Sequence, residues 1–227
     1  MTHFYIVATP IGNLKDITLR ALETLKEVDF ILSEDTRVAQ KLLSHYQIAT
    51  PLISYHEHSG APKIEAVLDL LKKGKNLALV SDAGTPGISD PGGKLIAEII
   101  KSGLDVKIEP IPGVSALAAI LSVSGIPNDR FLFLGFLPHK KGRQTLLKEV
   151  VNLDYPAVLY ESKHRILKLL EELESYSAAA GRTKKLIVGR ELTKLHETIY
   201  RGAPAEIAGL LKTNPEEQKG EFAAIIY

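Results

Sequence analysis

Five times in its first half, the sequence places a short β-branched or aromatic run before a loop and a helical pattern. The first run, residues 4–8, ends at Thr9-Pro10-Ile11-Gly12-Asn13, and a helix with Asp16 as its N-cap is predicted to follow. Similar runs occupy residues 30–32, 52–54, 76–80 and 106–109. Because repeated βα units need crossover connections, they predict a largely parallel five-stranded sheet with helices on both faces.

The second half has a different pattern. Strand-like runs at residues 131–134, 157–160, 185–188, 198–201 and 222–226 alternate with helical spacing at 142–151, 163–176 and 205–212. Some neighbouring runs could form hairpins, so a mixed sheet is predicted. Proline and glycine cluster and charge is sparse between residues 110 and 128, which suggests a boundary there. We therefore expect an N-terminal α/β domain over residues 1–112 and a C-terminal α/β domain over residues 113–227.

Composition limits the class of protein. The 227 residues include no cysteine, which removes disulfides, cysteine-ligated metals and thiol nucleophiles. The N-terminal residues lack a signal-peptide pattern, and the longest uncharged stretch is broken by proline and glycine, so a cytoplasmic protein without a membrane span is expected. The net charge is +1, with about −2 in residues 1–112 and +3 in the remainder. RNA binding would therefore depend on a local basic patch.

The loop over residues 80–93 is the strongest ligand-binding signal. It holds four glycines and two prolines directly after the run at 76–80. Glycine lets backbone groups approach a ligand, and proline stiffens the path between them. Ligands bind at the carboxyl ends of strands in open α/β sheets. The dinucleotide and P-loop fingerprints are both absent, so the loop predicts a small-molecule site of another kind.

Five motifs follow one another along the chain: residues 8–18, Ser33-Glu34-Asp35-Thr36-Arg37, the loop at 80–93, Pro112-Gly113-Val114-Ser115-Ala116 and Gly220-Glu221-Phe222. Together they resemble the tetrapyrrole-methylase-like family of S-adenosylmethionine-dependent methyltransferases. Their order spans the whole chain, and they are most similar to the RsmI-type branch, which methylates the 2′-oxygen of a cytidine in 16S ribosomal RNA. The resemblance implies two α/β domains with S-adenosylmethionine in a cleft between them, commonly in a homodimer.

The resemblance also assigns cofactor contacts by position. They fall on Pro10, Ala83, Gly84, Thr85, Ile88, Ser115, Ala116, Glu161, Leu192 and Ala223, with Ala224 beside the last. Two alternatives stay open: a tetrapyrrole methyltransferase, and a non-catalytic RNA- or nucleotide-binding module. The tetrapyrrole branch has Gly-Asp-Pro where this chain has Gly84-Thr85-Pro86, which favours RNA. Many RsmI-like enzymes continue past Gly-Glu-Phe into a helical extension, whereas this sequence stops at Tyr227.

Charged residues after the second strand are candidates for catalysis. Glu34 and Arg37 are predicted to act on the reacting hydroxyl, because a ribose hydroxyl is a weak acid that benefits from a base or a nearby cation. Asp35 is predicted to contact substrate. The structural alternative is that Asp35 or Thr36 caps a helix while Glu34 pairs with Arg37.

Two basic segments predict a track for RNA phosphates. In Ser162-Lys163-His164-Arg165, cations open a predicted helix whose later positions carry acids, the reverse of the stabilising order, which suggests that an anion binds there. Lys163 is predicted to be catalytic, and His164 and Arg165 to bind substrate. The loop His139-Lys140-Lys141-Gly142-Arg143 contributes Lys140, Lys141 and Arg143. The alternative is an ordinary solvated face, and no interleaved aromatic signals base stacking.

Three other groups receive structural interpretations. His56 and His58, with Glu57 between them, lack a third ligand, so no metal site is predicted. Asp129 with Arg130, and Arg190 with Glu191, are predicted to be structural pairs.

Overall fold

The computed structural model describes residues 1–56, 59–82, 84–90 and 92–227. The chain divides into two compact units, Met1–Ser115 and Ala116–Tyr227. The sequence-based boundary after residue 112 stays a prediction.

The first unit is a parallel α/β sheet. Its strands are β1 (Thr2–Val7), β2 (Phe30–Ser33), β3 (Leu52–Ser54), β4 (Leu77–Leu79) and β5 (Val106–Ile111). They run in the order β3-β2-β4-β1-β5, and every pairing is parallel. The helices are α1 (Leu19–Glu27), α2 (Thr36–His45), α3 (Ala61–Lys72) and α4 (Gly92–Lys101). The predicted parallel five-stranded sheet is confirmed.

Both faces of this sheet are covered by apolar side chains. One core contains Leu25, Ile31 and Leu43, and the other contains Phe4 and Leu95, all buried. Burial on both faces explains the nearly continuous apolar strands. It also leaves the strand ends as the part of the sheet where polar loops can meet.

The second unit is a mixed sheet with four helices. Its strands are β6 (Leu132–Phe136), β7 (Ala157–Ser162), β8 (Leu186–Arg190), β9 (Thr198–Gly202) and β10 (Glu221–Ile226), in the order β6-β7-β10-β8-β9. Only β6 and β7 pair in parallel, which confirms the predicted mixed sheet. The helices are α5 (Ala116–Ser122), α6 (Arg143–Asn152), α7 (Ile166–Ala179) and α8 (Pro204–Thr213).

Two predicted helix starts are wrong. Asp16 ends a short 3₁₀ turn, and Thr18 caps α1 by accepting a hydrogen bond from the Ala21 amide. Helix α7 begins at Ile166 with Arg165 as its N-cap, so Lys163 lies in the turn before it. In the described part of the chain, no helix combines the length and apolar character that crossing a membrane requires.

Candidate functional site

Three loops are hydrogen-bonded together at the carboxyl edge of the parallel sheet. After β1, the Thr9 amide donates to the Gly84 carbonyl at 3.0 Å, and the Thr9 hydroxyl donates to the Ser81 carbonyl at 2.7 Å. The Thr85 hydroxyl donates to the Val114 carbonyl at 2.8 Å. The loops after β1, β4 and β5 therefore form one connected surface, which we call the sheet-edge site.

Gly84 is required by the packing of these loops. Its φ is 91°, in the left-handed region that glycine adopts without strain. A Cβ there would lie 2.8 Å from Ile11 Cγ2 and 2.8 Å from the Val114 carbonyl oxygen. The glycine thus permits the close approach of the three loops, in addition to the turn itself.

Asp90 organises the far end of the loop after β4. Its Oδ1 accepts hydrogen bonds from the amides of Gly87 at 2.8 Å and Gly92 at 2.7 Å. Its Oδ2 is buried and has no hydrogen-bond partner among the described residues, and the same holds for the hydroxyl of Ser33 at the end of β2. Because unmet buried polar atoms are costly, these two atoms are suited to accept bonds from a ligand.

Acidic side chains lie at the ends of β2 and β4. Asp82 is exposed as a residue, but partial desolvation of its carboxyl raises its pKa, and the charges of Glu34 and Asp35 raise it further. Asp35 behaves differently: hydrogen bonds from the Arg37 side chain and amide lower its pKa to about 2. Asp35 thus remains ionised at neutral pH, while Asp82 holds its proton more readily than an ordinary aspartate.

The structural alternative for this segment is correct in part. Asp35 is the N-cap of α2, and its carboxylate accepts from the Arg37 amide at 2.8 Å. The predicted ion pair between Glu34 and Arg37 is wrong, because Arg37 pairs with Asp35 at 2.6 Å. The Arg37 side chain is 87% exposed, so it can still meet a substrate. Asp82 was not singled out as a functional residue from the sequence. Its position just after the strand-like run at residues 76–80 was a signal that could have identified it.

Other predicted residues of the first unit lie around these loops. Pro10, Ile88 and Ser115 are partly buried, and Thr85 is joined to Val114 as described. Ala83 lies outside the described residues, as do Glu57 and His58. Among the described residues, no cluster of metal-binding side chains is present.

A buried ion network occupies the second unit. The Glu161 carboxylate is fully buried and lies 3.2 Å from Arg143 Nη1 and 2.7 Å from Arg165 Nε. Arg143 also donates to Glu172 at 2.8 Å, and Arg165 donates to the Leu137 carbonyl at 2.9 Å. The Ser162 amide donates to Glu161 at 2.8 Å. The network thus joins β7, α6 and α7 to the loop after β6.

This network corrects two expectations. Arg143 is 2% exposed and paired with two carboxylates, so it supports the fold here and is not placed to bind an RNA phosphate. The anion inferred from the cations before α7 is already present as Glu161. Glu171, Glu172 and Glu174 are not at a helix end, because α7 continues to Ala179 and the three make contacts with Lys212, Arg143 and the Ala205 amide.

The remaining basic residues are exposed. Lys140, Lys141, Lys163 and His164 all lie at the surface, on the two segments that the network joins, and we call them the basic surface. In contrast, Leu192, Ala223 and Ala224 are buried in the second unit, and Ala116 is partly buried at the start of α5. Their predicted cofactor contacts stay predictions.

Both predicted structural pairs are wrong. Arg190 donates to the backbone carbonyls of His196, Glu216 and Lys219, while Glu191 pairs with Lys194 at 2.9 Å. Arg130 lies over the Tyr155 ring at 4.1 Å from its centroid.

The segment after β8 is a strained feature that sequence reasoning missed. Glu191 and Thr193 have φ of 51° and 67°, unusual for residues with side chains. Such strain persists only where surrounding contacts impose it. No sequence signal marks these two positions.

Residues 3–208 match the family model described as Tetrapyrrole (Corrin/Porphyrin) Methylases, and the chain belongs to that family. Among curated relatives, it is 48% identical to the Ribosomal RNA small subunit methyltransferase I of Synechocystis, over 98% of this chain and 77% of that protein. The protein of the same name from Borrelia garinii is 46% identical over 98% of this chain and 97% of the relative. The protein of the same name from Thermotoga maritima is 45% identical over 91% of this chain and 90% of that protein.

Solved structures share the fold at low identity. Diphthine synthase matches with a TM-score of 0.73 and 15% identity, over 100% of this chain and 89% of that one. A second match is uroporphyrin-III C-methyltransferase from Thermus thermophilus in complex with S-adenosylhomocysteine. Its TM-score is 0.66 and its identity 18%, over 100% of this chain and 97% of that one. The family and the architecture are thus established independently of the site residues.

The residues at the sheet-edge site, together with Ser33 and Glu34 at the end of β2, fit S-adenosylmethionine, the methyl donor of this class. Orphaned acceptors on Ser33 and Asp90 can receive bonds from amino or hydroxyl groups. The carboxylates of Glu34 and Asp82 suit a cationic sulfonium. When bound, the cofactor supplies an activated methyl group on sulfur.

Proposed function

We propose that this protein transfers a methyl group from S-adenosylmethionine to the 2′-oxygen of a cytidine ribose in the RNA of the small ribosomal subunit. The observation that carries the proposal is the identity of 45–48%, over 91–98% of this chain, to relatives named as small-subunit ribosomal RNA methyltransferases. At this identity the loops of the site are expected to be retained together with the fold. The 2′-oxygen and the cytidine follow from the motif resemblance.

The sheet-edge site supports this chemistry. Methyl transfer from a sulfonium needs an aligned nucleophile and exclusion of water more than covalent help. The O–C bond forms as the C–S bond breaks, and the hydroxyl proton must move to a base. We infer that Asp82 is this acceptor, because desolvation of its carboxyl and its acidic neighbours raise its pKa and make it more basic than an ordinary aspartate. Glu34 supplies part of that effect.

Substrate contacts are proposed on the basic surface. Lys140, Lys141, Lys163 and His164 would bind RNA phosphates, because exposed basic side chains contact phosphates independently of sequence. Arg37, largely exposed, would hold a phosphate or stabilise the developing alkoxide. A cytoplasmic homodimer completes the proposal, and sedimentation of the purified protein tests the dimer.

The direct test is methyl transfer from labelled S-adenosylmethionine to small subunits that lack the modification. We expect label in the RNA and none in precorrin or uroporphyrinogen substrates. The reverse distribution would establish a tetrapyrrole methyltransferase. RNA binding with S-adenosylhomocysteine affinity but no transfer to either substrate would favour the non-catalytic alternative.

A further inference from the structure

Strand β6 ends in a bulge that brings two phenylalanines to one ring. In a regular strand, residues three apart face opposite sides of the sheet. Here Phe133 is opposite Val158 and Phe136 is opposite Tyr160, so β6 holds one extra residue between these pairs, and Gly135 has φ of 57°. Both phenylalanine rings meet Tyr160 edge-on, with centroids 5.2 Å and 5.6 Å away. The bulge therefore lets Phe136 contact the same tyrosine ring as Phe133.

The Phe136 ring packs against one aromatic ring and is otherwise open to solvent. Its partner Tyr160 is buried, and the Tyr160 hydroxyl accepts a hydrogen bond from the Leu117 amide at 3.0 Å. Phe136 itself remains 54% exposed. A large aromatic ring that is fixed along one edge and open to solvent can receive another flat ring without having to be ordered first.

Three lysines lie on the segments that follow Phe136 and its cross-strand partner Tyr160. Lys140 and Lys141 follow Phe136 in the chain, and Lys163 follows its cross-strand partner. Arg165 holds the two segments together through its bond to the Leu137 carbonyl. These three lysines have no ion-pair partner within the described ranges, whereas Glu221, opposite Ser162 in the sheet, is paired with Lys194 at 2.9 Å. The two segments next to Phe136 and Tyr160 therefore carry exposed positive charge that no acidic side chain of the described residues neutralises.

We propose that Phe136 is a stacking platform for an unpaired base of the RNA substrate, with the basic surface holding the adjacent phosphates. This inference rests on the proposed function, because it takes the substrate to be RNA. An aromatic face beside cations that follow the backbone is the combination that binds single-stranded nucleic acid. The structure thereby supplies the aromatic that was not recognised beside the basic segments in the sequence.

A tryptophan probe tests the platform directly. The chain contains no tryptophan, so Phe136→Trp introduces a single fluorophore at the platform. Titration with 30S particles, and with a cytidine-containing single-stranded oligoribonucleotide, should quench its emission. The matched control is Phe131→Trp, at a residue 38% exposed before the start of β6, whose emission should not change.

Affinity gives the second readout. Phe136→Ala should weaken RNA binding about 5- to 150-fold, the range expected for losing one stacked base. Phe136→Leu keeps an apolar side chain without a ring, so it protects folding and should still lose most of that affinity. Affinity for S-adenosylhomocysteine, measured by calorimetry, should stay within twofold in both variants.

Three results separate the possible failures. If the wild type binds and methylates RNA while Phe136→Ala and Phe136→Leu bind it equally well, the platform is wrong and the proposed function stands. If Phe136→Trp emission changes with protein concentration and not with RNA, the ring belongs to an interface between copies and the platform is wrong. If the wild type neither binds nor methylates RNA, the proposed function and the platform both fail.

Discussion

At the scale of single residues, Gly84 and Asp82 carry different parts of the sheet-edge site. Gly84 allows three loops to touch, and its neighbour in the chain, Thr85, ties them to Val114. Asp82 supplies a carboxylate with a raised pKa. One residue thus shapes the site, and the other is the base that we propose for the reaction.

Replacing Gly84 with alanine should destabilise the protein by about 2–4 kcal/mol, from left-handed strain plus the clash with Ile11 and the Val114 carbonyl. The control is Gly87→Ala, where φ is 86° but nothing lies within 4 Å of the added Cβ, so only about 1–2 kcal/mol is expected. Chemical denaturation measures both variants. Equal losses would mean that the close approach of the loops is not what requires Gly84.

The pH dependence of methyl transfer should report Asp82. If its carboxylate accepts the proton, the rate rises with pH as Asp82 ionises. Glu34→Gln removes a negative charge that raises the pKa of Asp82, so the acidic limb of the pH–rate profile should move to lower pH. Glu65→Gln, on the exposed surface of α3, is the control and should leave the limb in place. An unchanged or upward-moving limb for Glu34→Gln contradicts the assignment.

At the scale of elements, Glu161 connects strand, helices and loop in the second unit. Its buried carboxylate faces two arginines from different segments, and breaking a buried pair leaves uncompensated charge. The basic surface sits on the segments that this carboxylate joins. The order of that surface therefore depends on a residue that solvent does not reach.

We expect Glu161→Gln to cost about 3–5 kcal/mol of stability, because Arg143 and Arg165 lose their common counter-charge. The comparison is Asp154→Asn, which removes an exposed pair with Arg182 and should cost under about 1 kcal/mol. Denaturation midpoints give both values. If the two substitutions cost the same, the network does not organise this part of the unit.

The helices and strands were predictable from sequence because the periodicity of apolar residues and the residues that form turns act over short stretches of chain. The parallel sheet followed from repeated βα units, and Asp35 was recognised as a possible cap from its place before α2. The partners of charged residues were not predictable: Arg143 looked like part of a basic loop, yet it pairs with carboxylates 18 and 29 positions away. Such pairings depend on tertiary packing, and so does the bulge that exposes Phe136.

At the scale of the whole molecule, charge is nearly balanced, so we expect RNA affinity to come from the basic surface. Replacing Lys140, Lys141 and Lys163 together with glutamine should weaken RNA binding. The log–log salt slope should fall by about 0.7–0.9 for each phosphate that the variant no longer binds. Replacing Lys72, Lys94 and Lys101 of the first unit changes the net charge equally and serves as the control. Equal slopes for the two triple variants would place the RNA elsewhere.

The central claim is transfer to a ribose 2′-oxygen, and alkaline hydrolysis of the methylated RNA tests it most directly. Alkaline cleavage uses the 2′-hydroxyl as its nucleophile, so a 2′-O-methylated nucleotide protects the bond that follows it. Small-subunit RNA labelled by this protein should yield its label in an alkali-resistant dinucleotide that begins with cytidine. Label released entirely in mononucleotides would show methylation of a base and would contradict the account.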